Sequence, residues 1–166
     1  AIWMSDAPLQ FSKAEFLRIF QRPFKGNGVS EFFTLFGANC HEGICWTEPR
    51  RLLWLADEAG ELMVDLTVIS YLAKMGHKVI LVFKGHPMYT VVDFEDAQQD
   101  EIITKRLAEA HFIQNPILSK NELVKILRSD KRVIVLSDGT REKLNLLLTS
   151  TTFARAFREV DAVISR

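Results

Sequence analysis

Six consecutive residues decide the fold, and they read Lys78-Val79-Ile80-Leu81-Val82-Phe83. All but the first are apolar and most are β-branched or aromatic, which is typical of a strand buried on both faces. A second apolar run, 52–56, lies upstream and ends at Asp57, and Gly76 closes the segment between the two runs. A strand, a helix and a strand within about 35 residues have the spacing of a right-handed βαβ unit.

The same alternation continues on both sides of this unit. Leucine and isoleucine recur at helical spacing over 62–72, and a further helix is predicted over 95–110 with Ile102, Ile103 and Leu107 facing inward. Strands are predicted at 111–113, 132–136 and 161–165, and helices are predicted after Ser119 and around Phe153. Continuous apolar strands that alternate with amphipathic helices predict an α/β fold, a three-layer sandwich with a mostly parallel, Rossmann-like sheet.

The first 50 residues differ in composition from the rest of the chain. They are rich in phenylalanine and carry a helical pattern that begins at Ser12 and ends near Pro23. We therefore expect a short helical N-terminal segment, residues 1–50, that packs on an α/β core, residues 51–166. Together they are expected to form one domain, since 166 residues is an ordinary length for one.

Composition limits the classes of function. Apolar residues make up 48% and charged residues 25%, which argues against disorder, and 21 basic residues balance 21 acidic ones. A neutral chain offers no simple evidence for a nucleic-acid partner, and no apolar run approaches the roughly 20 residues that cross a bilayer. Without a recognisable signal peptide we expect a cytoplasmic protein with Cys40 and Cys45 as reduced thiols, although these cysteines with His41 also offer ligands for zinc. The oligomeric state is left open.

Acidic residues follow the first core strand. Asp57, Glu58 and Glu61 lie where a strand turns into a helix. Crowded carboxylates repel one another unless a proton or a cation relieves them, and magnesium prefers such oxygen ligands. The alternative is that acidic side chains simply favour the positive end of the helix dipole.

The next two strand ends are polar as well. Lys84 and Gly85 follow the second strand and suit an anion, while an ordinary turn with a solvated lysine is the alternative. His86 is a candidate acid or base in the same loop, although a lone loop histidine is more often a bystander. The third strand ends in a small polar turn, residues 137–140, of a kind that is also common without any function. Signatures of P-loop, dinucleotide-binding and hydrolase-elbow sites are absent.

Taken in order, these short motifs resemble the metal-dependent damage-control phosphatases, long classed as a domain of unknown function. Members carry Asp-Asn-Ala-Gly-Glu after a strand, a Gly-His lead-in to the next strand, and Lys-Gly-x-Pro followed by an Asn-Asp pair. The matching segments are 57–61, 76–79 and 84–87, with a glycine-rich turn at 37–43 upstream and a strand at 161–166 downstream. The resemblance covers roughly residues 35–166.

The resemblance implies a divalent metal (magnesium, manganese, cobalt or nickel) and hydrolysis of small phosphorylated metabolites, such as sugar phosphates or damaged cofactor precursors. The implied metal would polarise phosphoryl oxygens and activate a water, and Lys84 would neutralise developing charge. The implied catalytic residues are Asp57 and Glu61, the metal ligands are Asp57, Glu58 and Asp93, and the substrate-binding residues are Asn39, Lys84, Gly85, Ser137 and Arg166.

Several positions depart from the family pattern. Glu58 replaces the metal-binding Asn, and the Asn-Asp pair falls on Thr90 and Val91, so that Asp93 serves as a ligand only if its loop is shifted by two residues. Arg166 takes the place of a phosphate-binding lysine, and we expect a chain that is truncated, split or decayed at this site. Two functions therefore stay open: a phosphatase, or a catalytically degenerate relative that binds a phosphorylated ligand or a protein partner.

Overall fold

The computed structural model describes residues 14, 18, 21, 28, 31, 34–41, 44–142 and 145–165, except for the side chains of 39–41 and 44–46. The chain divides into two compact units, residues 1–32 and 33–166. In the first unit, Ala14, Arg18 and Glu31 have helical backbone. The second unit contains the sheet. The prediction that residues 1–50 form a segment of their own is not tested by this division and stays a prediction.

A five-stranded, all-parallel sheet forms the centre of the second unit. Its strands, numbered after a preceding hairpin, are β3 (Arg51–Leu55), β4 (Lys78–Phe83), β5 (His111–Ile113), β6 (Val133–Ser137) and β7 (Ala162–Ile164). Their order across the sheet is β5-β6-β4-β3-β7. The central strand, β4, is the most buried because it carries near-continuous apolar sequence, and every one of its residues is buried.

Helices cover both faces of the sheet, which confirms the predicted three-layer α/β architecture. They are α1 (Ala59–Lys74), α2 (Asp96–Gln99), α3 (Glu101–Arg106), α4 (Lys120–Arg128) and α5 (Thr151–Phe157). Alternate strand residues point to opposite faces. Leu81 packs in one cluster with α1, α2 and α3, whereas Ile80 packs in another with α4 and α5.

Local sequence explains where these helices begin. Ser119 and Glu122 form the predicted capping box at the start of α4, and the Ser150 hydroxyl accepts a hydrogen bond from the Phe153 amide at the start of α5. Helix α1 buries its predicted apolar face of Leu62, Leu66, Ile69 and Leu72 against the sheet. None of the described helices is long and apolar enough to span a bilayer.

The single helix predicted over 95–110 is wrong. The chain there forms α2 and α3, and Asp100 lies between them with extended backbone. The Asp100 carboxylate accepts hydrogen bonds from the amides of Ile102 and Ile103, at 2.8 and 2.9 Å, so it ends one helix and starts another. Ile103 is buried as predicted, but Ile102 is 60% exposed, because adjacent residues of a helix lie about 100° apart and only Ile103 faces the core.

An antiparallel hairpin precedes the sheet. Strands β1 (Ala38–His41) and β2 (Ile44–Thr47) pair so that Cys40 lies opposite Cys45 in the backbone register. Gly37, just before β1, has a φ of +72°, and a β-carbon there would lie 2.3 Å from the Glu48 carbonyl oxygen. This close approach requires glycine at the entry to the hairpin.

Candidate functional site

The order of the strands places a crevice between β4 and β6. Connections from β3 to β4 and from β4 to β5 run through α1, α2 and α3 on one face of the sheet. Connections from β5 to β6 and from β6 to β7 run through α4 and α5 on the other face. Chain segments therefore leave neighbouring strands β4 and β6 in opposite directions, and in open α/β sheets ligands bind at such a point, beyond the carboxyl ends of the strands.

A cavity of about 410 Å³ lies at this edge of the sheet. Its volume falls within the range of about 300–1,000 Å³ that is usual for small-molecule sites. Its walls come from the ends of four strands and from the loop after β4, and the described lining residues are Leu55, Ala56, Asp57, Val82, Phe83, Lys84, Met88, Val91, Asp138 and Ser165. Two carboxylates and one ammonium give these residues a net charge of −1.

Lys84 and Asp138 bridge the crevice. The lysine Nζ lies 2.8 Å from Asp138 Oδ2 and donates a second hydrogen bond, of 2.7 Å, to the carbonyl of Glu142. The hydroxyl of Thr140 lies 3.4 Å from the same nitrogen. The side chains of Lys84 and Asp138 are only 13% and 4% exposed. Because its three donors face these oxygens, the ammonium has its partners within the protein.

The Asp138 carboxylate also fixes the two turns on either side of the crevice. Its Oδ1 accepts from the amides of Gly85 and Thr140, and its Oδ2 accepts from the hydroxyl of Thr140. A β-carbon on Gly85 would lie 2.7 Å from the carbonyl carbon of Gly139, so the turns after β4 and β6 meet backbone to backbone. Gly85, predicted to bind substrate, thus serves in this structure as a close-packing position.

Asp57 lies in the wall of the cavity. It is half-buried at the end of β3, and no hydrogen bond or ion pair to its carboxylate forms within the described part of the chain. The segment after Asp57 pairs with the loop after β4 through the Glu58–Val91 bridge and through a 3.1 Å hydrogen bond from the Ala59 amide to the Thr90 carbonyl. This pairing brings Asp57 and Val91 to the same wall.

Asp93, a predicted metal ligand, caps a helix and is absent from the described cavity lining. Its Oδ1 accepts a 2.8 Å hydrogen bond from the Asp96 amide, and its own amide donates to Asp96 Oδ2 at 3.2 Å. The residue is 3% exposed and pairs with Lys84 through the backbone. A loop shift of two residues would break this cap.

The remaining predicted residues lie in several places. Glu58 and Glu61 are exposed at the start of α1, and neither contributes to the described cavity lining. Ser137 accepts a hydrogen bond from the Gly139 amide and borders a smaller hollow. Asn39 lies on β1 with its side chain outside the described residues, and Arg166 lies outside them altogether. Their predicted roles stay predictions.

Of the ten described lining residues, only Asp57 and Lys84 belonged to the predicted site, and the eight others include Asp138, Met88 and Ser165. Asp138 is one position after Ser137, so the strand end was located correctly but the neighbouring side chain faces the crevice. Met88 and Ser165 also line the cavity. The signal for Asp138 was its position immediately after a buried strand, whereas Met88 carries no chemical signal in the sequence.

Comparison with protein families gives one match over almost the whole chain. The model of the damage-control phosphatase ARMT1-like domain matches residues 4–166. The chain belongs to this family. The sequence resemblance to the damage-control phosphatases is thereby confirmed. No curated protein matches the chain in a sequence search.

A solved structure of the same family shares the fold. The chain is similar to a DUF89 family protein from Pyrococcus horikoshii, with a TM-score of 0.61 and 19% identity, over 95% of this chain. The chain spans 44% of the length of that protein. At this identity the likeness establishes the α/β architecture of this damage-control phosphatase domain.

The metal implied by the family does not fit the described residues. No group of three or more His, Cys, Asp or Glu side chains among them is arranged to hold a metal ion. Asp57 faces the cavity, Glu58 is exposed, and Asp93 caps α2, so the three predicted ligands do not form a set. The wall position next to Asp57 is Val91, whose side chain has no donor atom.

Proposed function

We propose that this domain binds a small phosphorylated metabolite in the cavity at the carboxyl edge of the sheet and does not turn it over with a resident metal. The observation that carries the proposal is the wall shared by Asp57 and Val91, since it has the position of a family metal site but only one carboxylate. Membership of a phosphatase family supports the phosphorylated class of ligand.

The charge balance of the cavity supports a position for the phosphate at one end of it. Lys84 is held by Asp138, and Asp57 is negative, so the described lining repels a phosphate. Ser165 lines the cavity, and the next residue in the sequence is Arg166, at the position of the family's phosphate-binding lysine. Arginine binds phosphate in a bidentate manner, so Arg166 supplies the positive charge in this proposal.

Two substitutions test the proposed position of the ligand, and they are expected to change binding in opposite directions. Asp57→Asn removes a negative charge beside the ligand. Two unit charges about 4 Å apart in water repel by about 1 kcal/mol, so binding of a hexose phosphate is expected to tighten by about fivefold. Arg166→Gln is expected to weaken it by about tenfold. Titration calorimetry with a hexose phosphate, and with the free hexose as the control ligand, measures both effects.

Metal-dependent hydrolysis is the second candidate, and the half-buried Asp57 carboxylate in the cavity favours it. Under that function Asp57→Asn abolishes activity instead of strengthening binding. Hydrolysis of an aryl phosphate with added cobalt, nickel or manganese tests it directly. Metal-stimulated turnover that disappears in Asp57→Asn would overturn the binding proposal, and so would failure of the parent chain to bind hexose phosphate more tightly than hexose.

A further inference from the structure

A second and larger cleft lies at the opposite edge of the sheet. Its volume is about 650 Å³, and it opens where β6 begins and where α1 and α3 end. The residues that line it are Leu66, Ile69, Ser70, Ala73, Lys74, Lys105, Arg106, Leu107, Ala108, Glu109, Ala110, Asp130, Lys131, Arg132 and Val133. It shares no residue with the described lining of the carboxyl-edge cavity.

The cleft is strongly basic although the chain has no net charge. Five of its lining side chains are cationic (Lys74, Lys105, Arg106, Lys131 and Arg132), and two, Glu109 and Asp130, are anionic. All seven are exposed. This excess of three positive charges gathers in one concave surface, where low-dielectric walls focus the field.

None of the five cations has an anionic partner among the described residues. The ion pairs formed there join Arg50 to Glu48, Arg51 to Glu159 and Lys84 to Asp138. Of the five, only Arg132 donates a hydrogen bond within the described part of the chain, to the carbonyl of Gly76 at 2.9 Å. Four ammonium or guanidinium groups around one cleft therefore keep their donors for a ligand.

The helix dipole explains only part of this pattern. Lys74 lies in the last turn of α1, and Lys105 and Arg106 lie in the last turn of α3, where cations are favoured. Lys131 and Arg132 lie in the connection before β6, beyond the last turn of α4, which ends at Arg128, and the dipole effect falls off outside that last turn. The cations that line the cleft therefore come from two sources, the last turns of α1 and α3 and the connection before β6.

We propose that this cleft binds a small ligand that carries two or more phosphate groups. One exposed cation contributes little to binding, so a ligand must engage several of them at once. A polyphosphate chain spans separated cations, whereas orthophosphate does not. The concave shape and the two carboxylates on the lining favour a compact ligand over duplex nucleic acid, whose backbone needs a continuous basic face. This inference is independent of the function proposed for the other cavity.

Inorganic tripolyphosphate is the probe for this site. Calorimetric titration of the whole chain at low salt is expected to show one saturable site, with binding weaker at about 0.15 M salt because exposed charges are then screened. Orthophosphate is expected to bind at least about tenfold more weakly. Absence of saturable tripolyphosphate binding at low salt would overturn the proposal.

Substitutions on the two walls locate the ligand. The double variant Lys105→Gln, Lys131→Gln is expected to lower tripolyphosphate affinity by about fivefold to tenfold. Its matched control is Lys120→Gln, Lys125→Gln, which removes the same charge from α4 on the other face of the sheet and is expected to change affinity by less than about twofold.

Three results would contradict the assignment. An equal loss of affinity in the control and in the cleft variant would show a general charge effect. Arg166→Gln would abolish tripolyphosphate binding if the ligand occupied the other cavity. A duplex DNA oligonucleotide that bound with the same sensitivity to Lys105→Gln, Lys131→Gln, while tripolyphosphate did not bind, would assign the cleft to nucleic acid.

Discussion

Lys84 and Asp138 join the ends of two neighbouring strands through a nearly buried ion pair, with 2.8 Å between Nζ and Oδ2. The carboxylate receives three further hydrogen bonds, from Gly85 and from the amide and hydroxyl of Thr140. The pair therefore fixes the geometry of the crevice between β4 and β6. In this structure the role of Lys84 is to neutralise Asp138 and not to bind a ligand.

Removal of the lysine charge should be costly. Lys84→Met leaves the Asp138 carboxylate buried without its cation, and breaking such a pair typically costs about 3–5 kcal/mol. Urea unfolding should show a loss of about 3 kcal/mol in the free energy of unfolding. The control is Glu159→Gln, which removes the more exposed Arg51–Glu159 pair at 3.5 Å and should cost less than about 1 kcal/mol. Equal losses in the two variants would show that Lys84 is not held as the structure indicates.

Gly85→Ala should destabilise the same crevice by a steric route. The added methyl carbon would lie 2.7–2.9 Å from backbone atoms of Gly139 and Thr140, and backbone does not move aside cheaply. We expect the free energy of unfolding to fall by about 2 kcal/mol, which is the usual effect of overpacking.

A glycine in open space provides the matched control for Gly85→Ala. Gly60 lies in the first turn of α1, and a β-carbon there would meet nothing within 4 Å. Gly60→Ala should increase the free energy of unfolding by about 0.5 kcal/mol, because alanine favours the helix, and should therefore raise the melting temperature. Thermal unfolding of both variants checks the opposite signs, and a neutral Gly85→Ala would contradict the close contact.

Much of this fold was predictable because buried parallel strands have a recognisable, near-continuous apolar sequence. Buried strands such as β4 need apolar side chains on both faces, so their bounds are visible in the sequence, and the helical face of α1 follows from its 3.6-residue period. The break at Asp100 was not visible in the sequence. The segment around it has a helical pattern, and the break arises because the Asp100 carboxylate caps the next helix. The hairpin of β1 and β2 was also missed, because it has no clear apolar alternation.

The site was predictable only as far as the strand ends. Sequence places Asp57, Lys84 and Asp138 after strands, and parallel pairing brings such ends to one edge. It does not reveal that β6 lies beside β4, so the pairing of Lys84 with Asp138 could not be derived. Nor does the sequence show that the Asp93 carboxylate accepts a hydrogen bond from the Asp96 amide at the start of α2.

Acid should destabilise the protein through His77. This side chain is fully buried, its Nδ1 accepts a 3.0 Å hydrogen bond from the Arg50 amide, and its Nε2 has no hydrogen-bond partner among the described residues. Burial, and secondly the charge of Arg50, lower the pKa of His77 below the 6.5 of a free histidine. The unfolded chain thus binds a proton more readily than the folded one, so this contribution to stability is complete above about pH 6.5 and declines as the pH falls below it.

Urea unfolding between pH 7.5 and 5.5 measures this linkage. The parent should lose stability with a slope that approaches, at most, about 1.4 kcal/mol per pH unit from this one group. His77→Gln should be less stable at neutral pH but should show a shallower slope. His86→Gln, at an exposed loop position, is the control and should keep the parent's slope. An unchanged slope in His77→Gln would assign the acid sensitivity to other groups.

Metal binding should be recoverable by restoring two side chains. Val91 shares the cavity wall with Asp57, and its backbone pairs with Glu58, so an aspartate at 91 would place a second carboxylate beside the first. The double variant Glu58→Asn, Val91→Asp restores the family residues at positions 58 and 91 and leaves Thr90 and Arg166 unchanged. Without metal the two carboxylates repel, and a divalent cation relieves that repulsion. We therefore expect Co²⁺ affinity to rise by about tenfold or more over the parent.

The visible absorption of bound Co²⁺ and calorimetry with Mn²⁺ measure the gain, and circular dichroism confirms that the variant folds. Val64→Asp, on the exposed face of α1 where Val64 is 59% exposed, adds one carboxylate away from the cavity and should leave metal affinity unchanged. If the parent already binds Co²⁺ as tightly as the double variant, the chain holds a metal in spite of Val91, which would contradict the conclusion that its residues do not fit one. If the double variant binds no better than Val64→Asp, the wall shared by residues 57 and 91 does not have the geometry of a metal site.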